Sequence, residues 1–242
     1  MESFLERSKD ADLAGLVKEL AARSGRNRRR SLRLLAWRLT VSGSYALKRF
    51  MDIVASGLGL LALSPLFLAI AAAIKIADRG PVFFSQIRVG RYGRHFKFYK
   101  FRSMRADAEE RKAELMSKNE SADGVIFKMK DDPRITKVGR FLRRTSLDEL
   151  PQLWNVFIGD MSLVGPRPPV PSEVREYTLE DRKRLDAVPG LTCLWQIKGR
   201  SDIPFREQVE LDKAYILAPG VWCDVKILLK TIPAIIGGKG AY

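Results

Sequence analysis

The sequence predicts an α+β, mostly helical fold: a helix-break-helix element in a membrane, then a cytosolic domain with amphipathic surface helices and a small β-hairpin. Three observations predict it. Residues 53–74 carry no charge and are interrupted once, at Ser64-Pro65. The segments VFFSQIRVG and HFKFYKFRS alternate apolar and polar residues on either side of Gly90-Arg91-Tyr92-Gly93, the pattern of a hairpin. Ile135, Val138, Phe141 and Leu142 recur at helical spacing with Lys137, Arg140, Arg143 and Arg144 between them, the pattern of a short basic amphipathic helix.

The chain begins with a polar stretch to about Ala46 that contains a short helical pattern at Leu13 to Leu20 and the arginine cluster SGRNRRRSLRLLAWRL. No apolar run of signal-peptide type occurs near the amino terminus, so a cleaved secretory signal is not expected. Leu32, Leu34, Leu35, Trp37 and Leu39 among arginines suit either a linker or a segment lying on an anionic lipid surface.

The 22 uncharged residues between Asp52 and Lys75 would reach ~33 Å as a helix at ~1.5 Å per residue, enough to cross a hydrocarbon core. Pro65 at the midpoint removes a backbone bond, although membrane helices tolerate kinks. Arg28, Arg29, Arg30, Arg33, Arg38, Lys48 and Arg49 precede the run, and Lys75, Arg79, Arg88, Arg91, Arg94 and Lys97 follow it. Basic residues favour the cytoplasmic side, so both ends ask to stay there. A re-entrant helix that enters, bends at Ser64-Pro65 and returns satisfies both ends; a kinked single span leaves one basic flank outside.

Beyond the hairpin, residues 105–118 read as a charged helix and 121–132 as a loop. GPRPPVP reads as a stiff turn, VPGLTCLWQIKGR as a glycine-punctuated loop or strand, and ILAPGVWCDVKILLKTIPAII as a final amphipathic helix kinked at Pro233. Lysine and arginine number 43 against 28 aspartates and glutamates, which favours a polyanionic partner: nucleic acid, an anionic membrane or a phosphorylated substrate. Cys193 and Cys223 lie far apart without metal-site spacing, and His95 is the only histidine, so zinc sites and disulfide frameworks are not suggested.

The stretch RTSLDELPQ sets Asp148 and Glu149 side by side just before Pro151. By spacing, Ser146-x-x-Glu149 is a capping box; the alternative register starts the helix at Pro151, where proline is welcome as the first residue. In either register the carboxylates lie within about a turn of a helix start, a place that attracts phosphate. A carboxylate there can attack a diphosphate only if cations neutralise the phosphoryl oxygens. Arg143, Arg144, Arg167, Lys100 and Arg102 are the available cations, and Glu149 is suited to hold Mg²⁺ while Asp148 attacks. Neither G-x-x-x-x-G-K-[ST] nor a strand-borne G-x-G-x-x-G is present, so phosphate falls to side chains.

From Lys48 to Tyr242 the sequence resembles the bacterial sugar transferases that load a sugar-1-phosphate onto polyprenyl phosphate, the monotopic phosphoglycosyl transferases. The ordered motifs KRFMDIVAS, LSPLFL, GPVFFSQIRVGRYGRHFKFYKFRSM, DDPRITKVGRFLRRTSLDELPQLWNVFIGDMSLVGPRP, VPGLTCLWQIKGR, LDKAYI and DVKILLKTIPAI carry the resemblance. It implies a re-entrant membrane helix (47–78) broken at Ser64 and Pro65 and a cytosolic phosphoglycosyl transferase domain (79–242), behind a basic extension (1–46) that the resemblance does not cover. It also implies a place in the bacterial inner membrane, in contact with its lipids, with the active site facing the cytoplasm and no nucleic acid partner.

By the same resemblance Asp148 attacks the β-phosphate of a UDP-sugar and expels UMP. Polyprenyl (undecaprenyl) phosphate then takes the sugar-phosphate from the aspartyl enzyme in a ping-pong second half. Glu149 matches the ligand position for Mg²⁺, Arg143 the phosphate-contacting arginine before the dyad, and Arg167 the arginine of the Pro-Arg-Pro motif. Lys100, Arg102, Gln196, Arg200 and Asp212 match further motif positions at the substrate site. The closing KTIPAIIGGKGAY is most similar to members that begin exopolysaccharide assembly with galactose or glucose. The chain departs from the pattern at Cys193, where the family commonly has glycine, and in its first forty-odd residues. The reading from another class is a membrane-tethered basic module that binds anionic lipid or nucleic acid without catalysis.

Overall fold

The uncharged run forms two helices, α1 (Gly43–Ala62) and α2 (Ser64–Asp78), that meet at Leu63 with a bend of 59°. In this computed structural model the described residues are 43–105, 107–108, 110–115, 129, 131–199, 202–218 and 220–237. The expected amino-terminal features, including the Leu32–Leu39 arginine-rich stretch, lie outside them. The chain divides into two compact units after Leu47, and everything below concerns the second.

The Ser-Pro pair explains the break. Pro65 has no N–H to give the Leu61 carbonyl four residues earlier, and the Ser64 hydroxyl donates to that carbonyl instead, at 2.8 Å. Backbone bonds continue on either side, Leu63 N to Gly59 O and Phe67 N to Leu63 O, both 2.9 Å. The carbonyl that proline abandons therefore keeps a partner at the bend. No single helix among the described residues is long and apolar enough to cross a membrane; α1 and α2 reach that length and composition only together.

The two helices are held to the rest of the unit differently. Near its start α1 docks by polar bonds: Asp52, buried, accepts from Leu163 N (2.9 Å) and Ser162 Oγ (3.1 Å), and Lys48 donates to Val164 O (3.0 Å) and to Asp224. Arg49 donates to the Val156 and Phe157 carbonyls, at 2.6 and 2.7 Å, at the end of helix α5 (Gln152–Ile158), where a cation suits the dipole. Helix α2 docks by apolar contact, Ile70 and Ile74 packing with Phe101, Leu142, Leu147 and Leu150. The opposite faces stay bare: Leu61 and Leu68 are each 73% exposed and Ile76 84%.

Strands β1 (Phe83–Val89) and β2 (His95–Phe101) form the predicted antiparallel hairpin, in register from Phe83 opposite Phe101 to Val89 opposite His95. Period-two alternation gathers Phe84, Gln86, Arg88, Phe96, Phe98 and Lys100 on one face. Phe96 and Phe98 bury that face against Val156 and Met161. The expected helix at 105–118 is seen as α3 (Glu110–Leu115), its flanks lying partly outside the described residues. The basic amphipathic helix is α4 (Lys137–Arg144), started by the Thr136 side chain accepting from Gly139 N.

A second, parallel pair, β3 (Ser162–Val164) with β4 (Gly190–Thr192), frames the Pro-Arg-Pro turn. Between them run α6 (Pro171–Arg175), α7 (Leu179–Arg182) and a 3₁₀ turn, Lys183–Asp186. The segment expected as a loop or strand, VPGLTCLWQIKGR, is both β4 and helix α8 (Leu194–Lys198), because its single glycine-led strand ends where Leu194 and Ile197 turn into the Val164 core. The expected final helix divides: Ile216 and Leu217 end α9 (Phe205–Leu217), and α10 (Val221–Gly237) follows with Pro233 inside it. The architecture is thus α+β and mostly helical, with two small sheets.

Gly139 tests how tightly α4 is seated. A β-carbon there would overlap the Ser103 carbonyl, a backbone atom that cannot swing away. Gly139→Ala is expected to destabilise by about 1–3 kcal/mol through overpacking, despite alanine's better helix propensity. Thermal unfolding reads this directly, and an unchanged or raised Tm would contradict it.

Candidate active site

Asp148 and Glu149 stand on a 3₁₀ turn, Leu147–Glu149, between α4 and α5. The capping-box expectation fails here: Ser146 makes no side-chain cap bond and takes a left-handed conformation, φ 56°, while α5 starts only after Pro151. The sequence spacing fits a helix, but Leu147 and Leu150 are drawn into the α2 core. Three residues apart on a 3₁₀ turn, they share one face and leave the carboxylates to the other.

Lys100 of β2 reaches across this turn, its Nζ 2.7 Å from Glu149 Oε1 and 3.5 Å from Asp148 Oδ2. Arg167 donates to the same Glu149 oxygen at 3.3 Å. Arg143, one of two arginines in the last turn of α4, is fixed by Nε donating to Ser103 Oγ at 3.0 Å, and its charge acts on Asp148. Thus Asp148, Glu149, Lys100, Arg143 and Arg167 come together as the sequence proposes. Burial raises the Asp148 pKa above the usual aspartate value, with Lys100 opposing the rise and Glu149 adding to it. Burial would raise Glu149 too, but Lys100 and then Arg167 outweigh it and bring it down to about 2.

Two frames keep these cations in place. Asn155 of α5, fully buried, accepts from Tyr99 N (3.1 Å) and donates to Lys97 O (2.6 Å), acting as a substitute partner for the free edge of β2 one residue before Lys100. The Pro-Arg-Pro turn is clipped on both sides: Val89 N donates to Pro169 O and Gly190 N to Pro166 O, both 2.9 Å, and Arg88 donates to Pro168 O at 3.0 Å. Gly165 and Gly190 approach so closely that a β-carbon on Gly165 would overlap Val188 O and one on Gly190 the Gly165 backbone.

The remaining expected residues lie in other contacts. Arg102 is buried and pairs with Asp78 at 2.7 Å, tying the hairpin to the end of α2. Asp212 pairs with Arg184, which also donates to Tyr177 Oη at 3.1 Å; burial lifts the Asp212 pKa to about 6 against the pull of Arg184. Gln196 accepts from the buried Cys193 thiol at 3.2 Å, and burial pushes that thiol's pKa up. Cys193 lies within the fields of Asp212, Arg167 and Arg184. Arg200 is outside the described residues.

Sequence reasoning missed Asn155 and Arg88. Asn155 has no sequence signal, because its role depends on α5 crossing a strand edge. Arg88 had one: in the hairpin register it shares a face with Lys100.

Among the described residues no three of histidine, cysteine, aspartate and glutamate converge on a point. The donor set is instead a pair of adjacent carboxylates, which fits a Mg²⁺ that keeps its waters and takes further oxygens from a substrate phosphate. A buried Asp148 and a half-buried Glu149 ringed by lysine and arginine define an anion-receiving site on an α+β scaffold with a broken apolar helix pair. The family model described as bacterial sugar transferase matches residues 43–238, and the chain belongs to that family.

Relatives agree with this. The chain is 50% identical over 195 residues to the galactosyl transferase CpsE of Streptococcus agalactiae serotype III (strain NEM316), covering 80% of this chain and 43% of that protein. It is 44% identical over 207 residues to the undecaprenyl-phosphate galactose phosphotransferase of Salmonella typhimurium, covering 84% and 43%. The exopolysaccharide production protein ExoY of Sinorhizobium fredii is 41% identical over 198 residues, covering 81% of this chain and 88% of its own length. The chain thus spans less than half the length of the first two relatives and most of the third.

Asn155→Ala leaves a strand N–H and a carbonyl without their partner, which is expected to cost about 1–3 kcal/mol. It should also raise hydrogen exchange at Tyr99. Unchanged exchange there, with unchanged Tm, would show that the edge of β2 does not need Asn155.

Proposed function

We propose that this chain transfers a hexose-1-phosphate from a UDP-sugar to undecaprenyl phosphate and releases UMP, the first membrane step of exopolysaccharide or related glycan synthesis. The observation that carries this reading is the Lys100–Glu149–Arg167 contact beside the buried Asp148. Relatives named for galactose and glucose transfer to undecaprenyl phosphate support the substrate class and make those two sugars the first choices. The lipid, UDP-sugar and pathway are part of the proposal.

In the first half-reaction an Asp148 carboxylate oxygen attacks the β-phosphorus. A P–O bond forms to aspartate, the bond to the bridging oxygen breaks, and UMP leaves with the electron pair. In the second half a lipid phosphate oxygen attacks the same phosphorus, and the Asp148 carboxylate is released. Lys100 and Arg143 favour the ionised form that attack requires, against the burial that raises its pKa. Glu149, with the substrate phosphates, would hold Mg²⁺, which when bound adds neutralising charge at the phosphoryl oxygens. Until then Glu149 keeps Lys100 and Arg167 aimed at the phosphate site.

The membrane part of the proposal is a monotopic protein of the bacterial inner membrane with its active site toward the cytoplasm. Support comes from the bare outer faces of α1 and α2, the 59° bend and the basic residues at both ends. The dyad turn packs against α2, so a lipid phosphate at the surface would arrive close to Asp148.

With purified chain, Mg²⁺, UDP-galactose or UDP-glucose and undecaprenyl phosphate, UMP release is expected and should fall at least about a thousandfold in Asp148→Asn. Undiminished release in that variant overturns the nucleophile. Cysteines placed at positions 46 and 79 should both react with an impermeant thiol reagent from the cytoplasmic side only. In Pro65→Ala the second position should move toward the far side, since α1 and α2 can then join; labelling of either position from the periplasm in the unaltered segment restores a single span.

A further inference from the structure

We propose that Arg88, together with Arg167, binds the phosphate that leaves, the α-phosphate of the nucleotide, so that the diphosphate lies along a row of cations from Arg143 and Lys100 to Arg167 and Arg88. The inference rests on the UDP-sugar reading above and deepens it. In-line displacement on a diphosphate asks for two sets of cations, one at the attacked phosphorus and one where negative charge accumulates on the leaving oxygen. Arg143 and Lys100 act on Asp148. Arg167 touches Glu149, and Arg88 lies within the fields of Arg167, Glu149 and Glu173.

Arg88 is built into the site. It shares a hairpin face with Lys100, and the two cations stand over the Phe98 ring at 5.1 and 5.7 Å from its centroid. One terminal nitrogen donates to Pro168 O at 3.0 Å, which fixes the guanidinium plane beside the Pro-Arg-Pro turn. Its Nε is shut off from solvent and has no hydrogen-bond partner. Burial, and then the like charge of Arg167, lower its pKa to about 10. A buried N–H on a cation, next to a second cation, is costly unless an anion takes it. When the β-phosphorus to oxygen bond breaks, the electron pair goes to the α-phosphate, and the N–H groups of Arg88 and Arg167 receive that added charge.

The test compares UMP with uridine as ligands of the chain in nanodiscs, alongside kcat/KM for undecaprenyl phosphate. The unaltered chain should prefer UMP, and Arg88→Met should cut that preference by about ten- to a hundredfold, with kcat/KM for the acceptor unchanged. If Arg88 merely props the Pro-Arg-Pro turn and acts through Arg167, Arg88→Met lowers the UMP preference no further in an Arg167→Met background, which overturns the proposal; a direct contact lowers it in both backgrounds. Arg88→Lys keeps the charge over Phe98 but cannot bond Pro168 O and a phosphate together. It should lower the preference about threefold, and a folded Arg88→Lys with full preference overturns the assignment even if Arg88→Met does not fold. An unaltered chain that shows no preference for UMP and releases none from UDP-sugars overturns the parent reading, and this one with it. Normal turnover with an unaffected UMP preference in Arg88→Met overturns only the role of Arg88.

Discussion

The Glu149 carboxylate is the point on which the site depends. One of its oxygens accepts from Lys100 of the hairpin and from Arg167 of the Pro-Arg-Pro turn, while its own turn joins α4 to α5. Three segments distant in sequence therefore meet at one oxygen. Like charges at this separation repel, by about 4 kcal/mol for a pair 4 Å apart at an effective dielectric near 20. Lys100, Arg167 and Arg143 can share the region only because Glu149 and Asp148 lie between them. Burial works against the charge of Arg143, Arg167, Asp148 and Glu149, and the fall of the Glu149 pKa to about 2 shows its two cations winning for that carboxylate, whereas Asp148 stays above its ordinary value. The arrangement is poised for a further anion, since the cations outnumber the carboxylates.

The same frame ties the site to the broken helix pair. Leu147 and Leu150 flank the dyad and pack with Ile70 and Ile74 of α2, so the position of α2 sets the height of the carboxylates. Asp52 on α1 holds Leu163 and Ser162 of β3, and β3 leads within a few residues to Arg167. Arg49 meanwhile ends α5, the helix whose Asn155 holds the edge of β2. Each of the three segments that meet at Glu149 thus has a bond or an apolar contact to α1 or α2. A displacement of the helix pair would be felt as a change in the distance between Asp148 and its cations.

Legibility from sequence followed the range of the forces involved. The hairpin was readable because alternation is local, and its register even aligns Arg88 with Lys100. The break at Ser64-Pro65 was readable because proline's missing N–H is a local fact. The dyad and its nearest cations, Lys100, Arg143 and Arg167, came from motif order rather than periodicity, and they do converge. Arg102 was grouped with them by its place in the same motif, but its partner Asp78 lies at the end of α2, and nothing within the hairpin announces that pairing. Asn155 was invisible for the same reason: its two bonds run to a strand more than fifty positions away. Helices α8 and α9 went unread because their apolar residues face separate small clusters and not one continuous stripe.

The failure of the capping box says most about how local rules yield at a site. A helix started by Ser146 would have spent Glu149 on the Ser146 backbone N–H, and Pro151 would have fallen inside the first turns. Ser146 instead takes a left-handed conformation, which costs a non-glycine residue about 1–2 kcal/mol. That cost is offset by Leu147 and Leu150 entering the core together, which a helix starting at Ser146 would not align with α2 in the same way. The carboxylates are released from helix duty and face Lys100 and Arg167. Strain at one serine thus converts a sequence that spells a helix start into a turn with both acids free for partners across the fold.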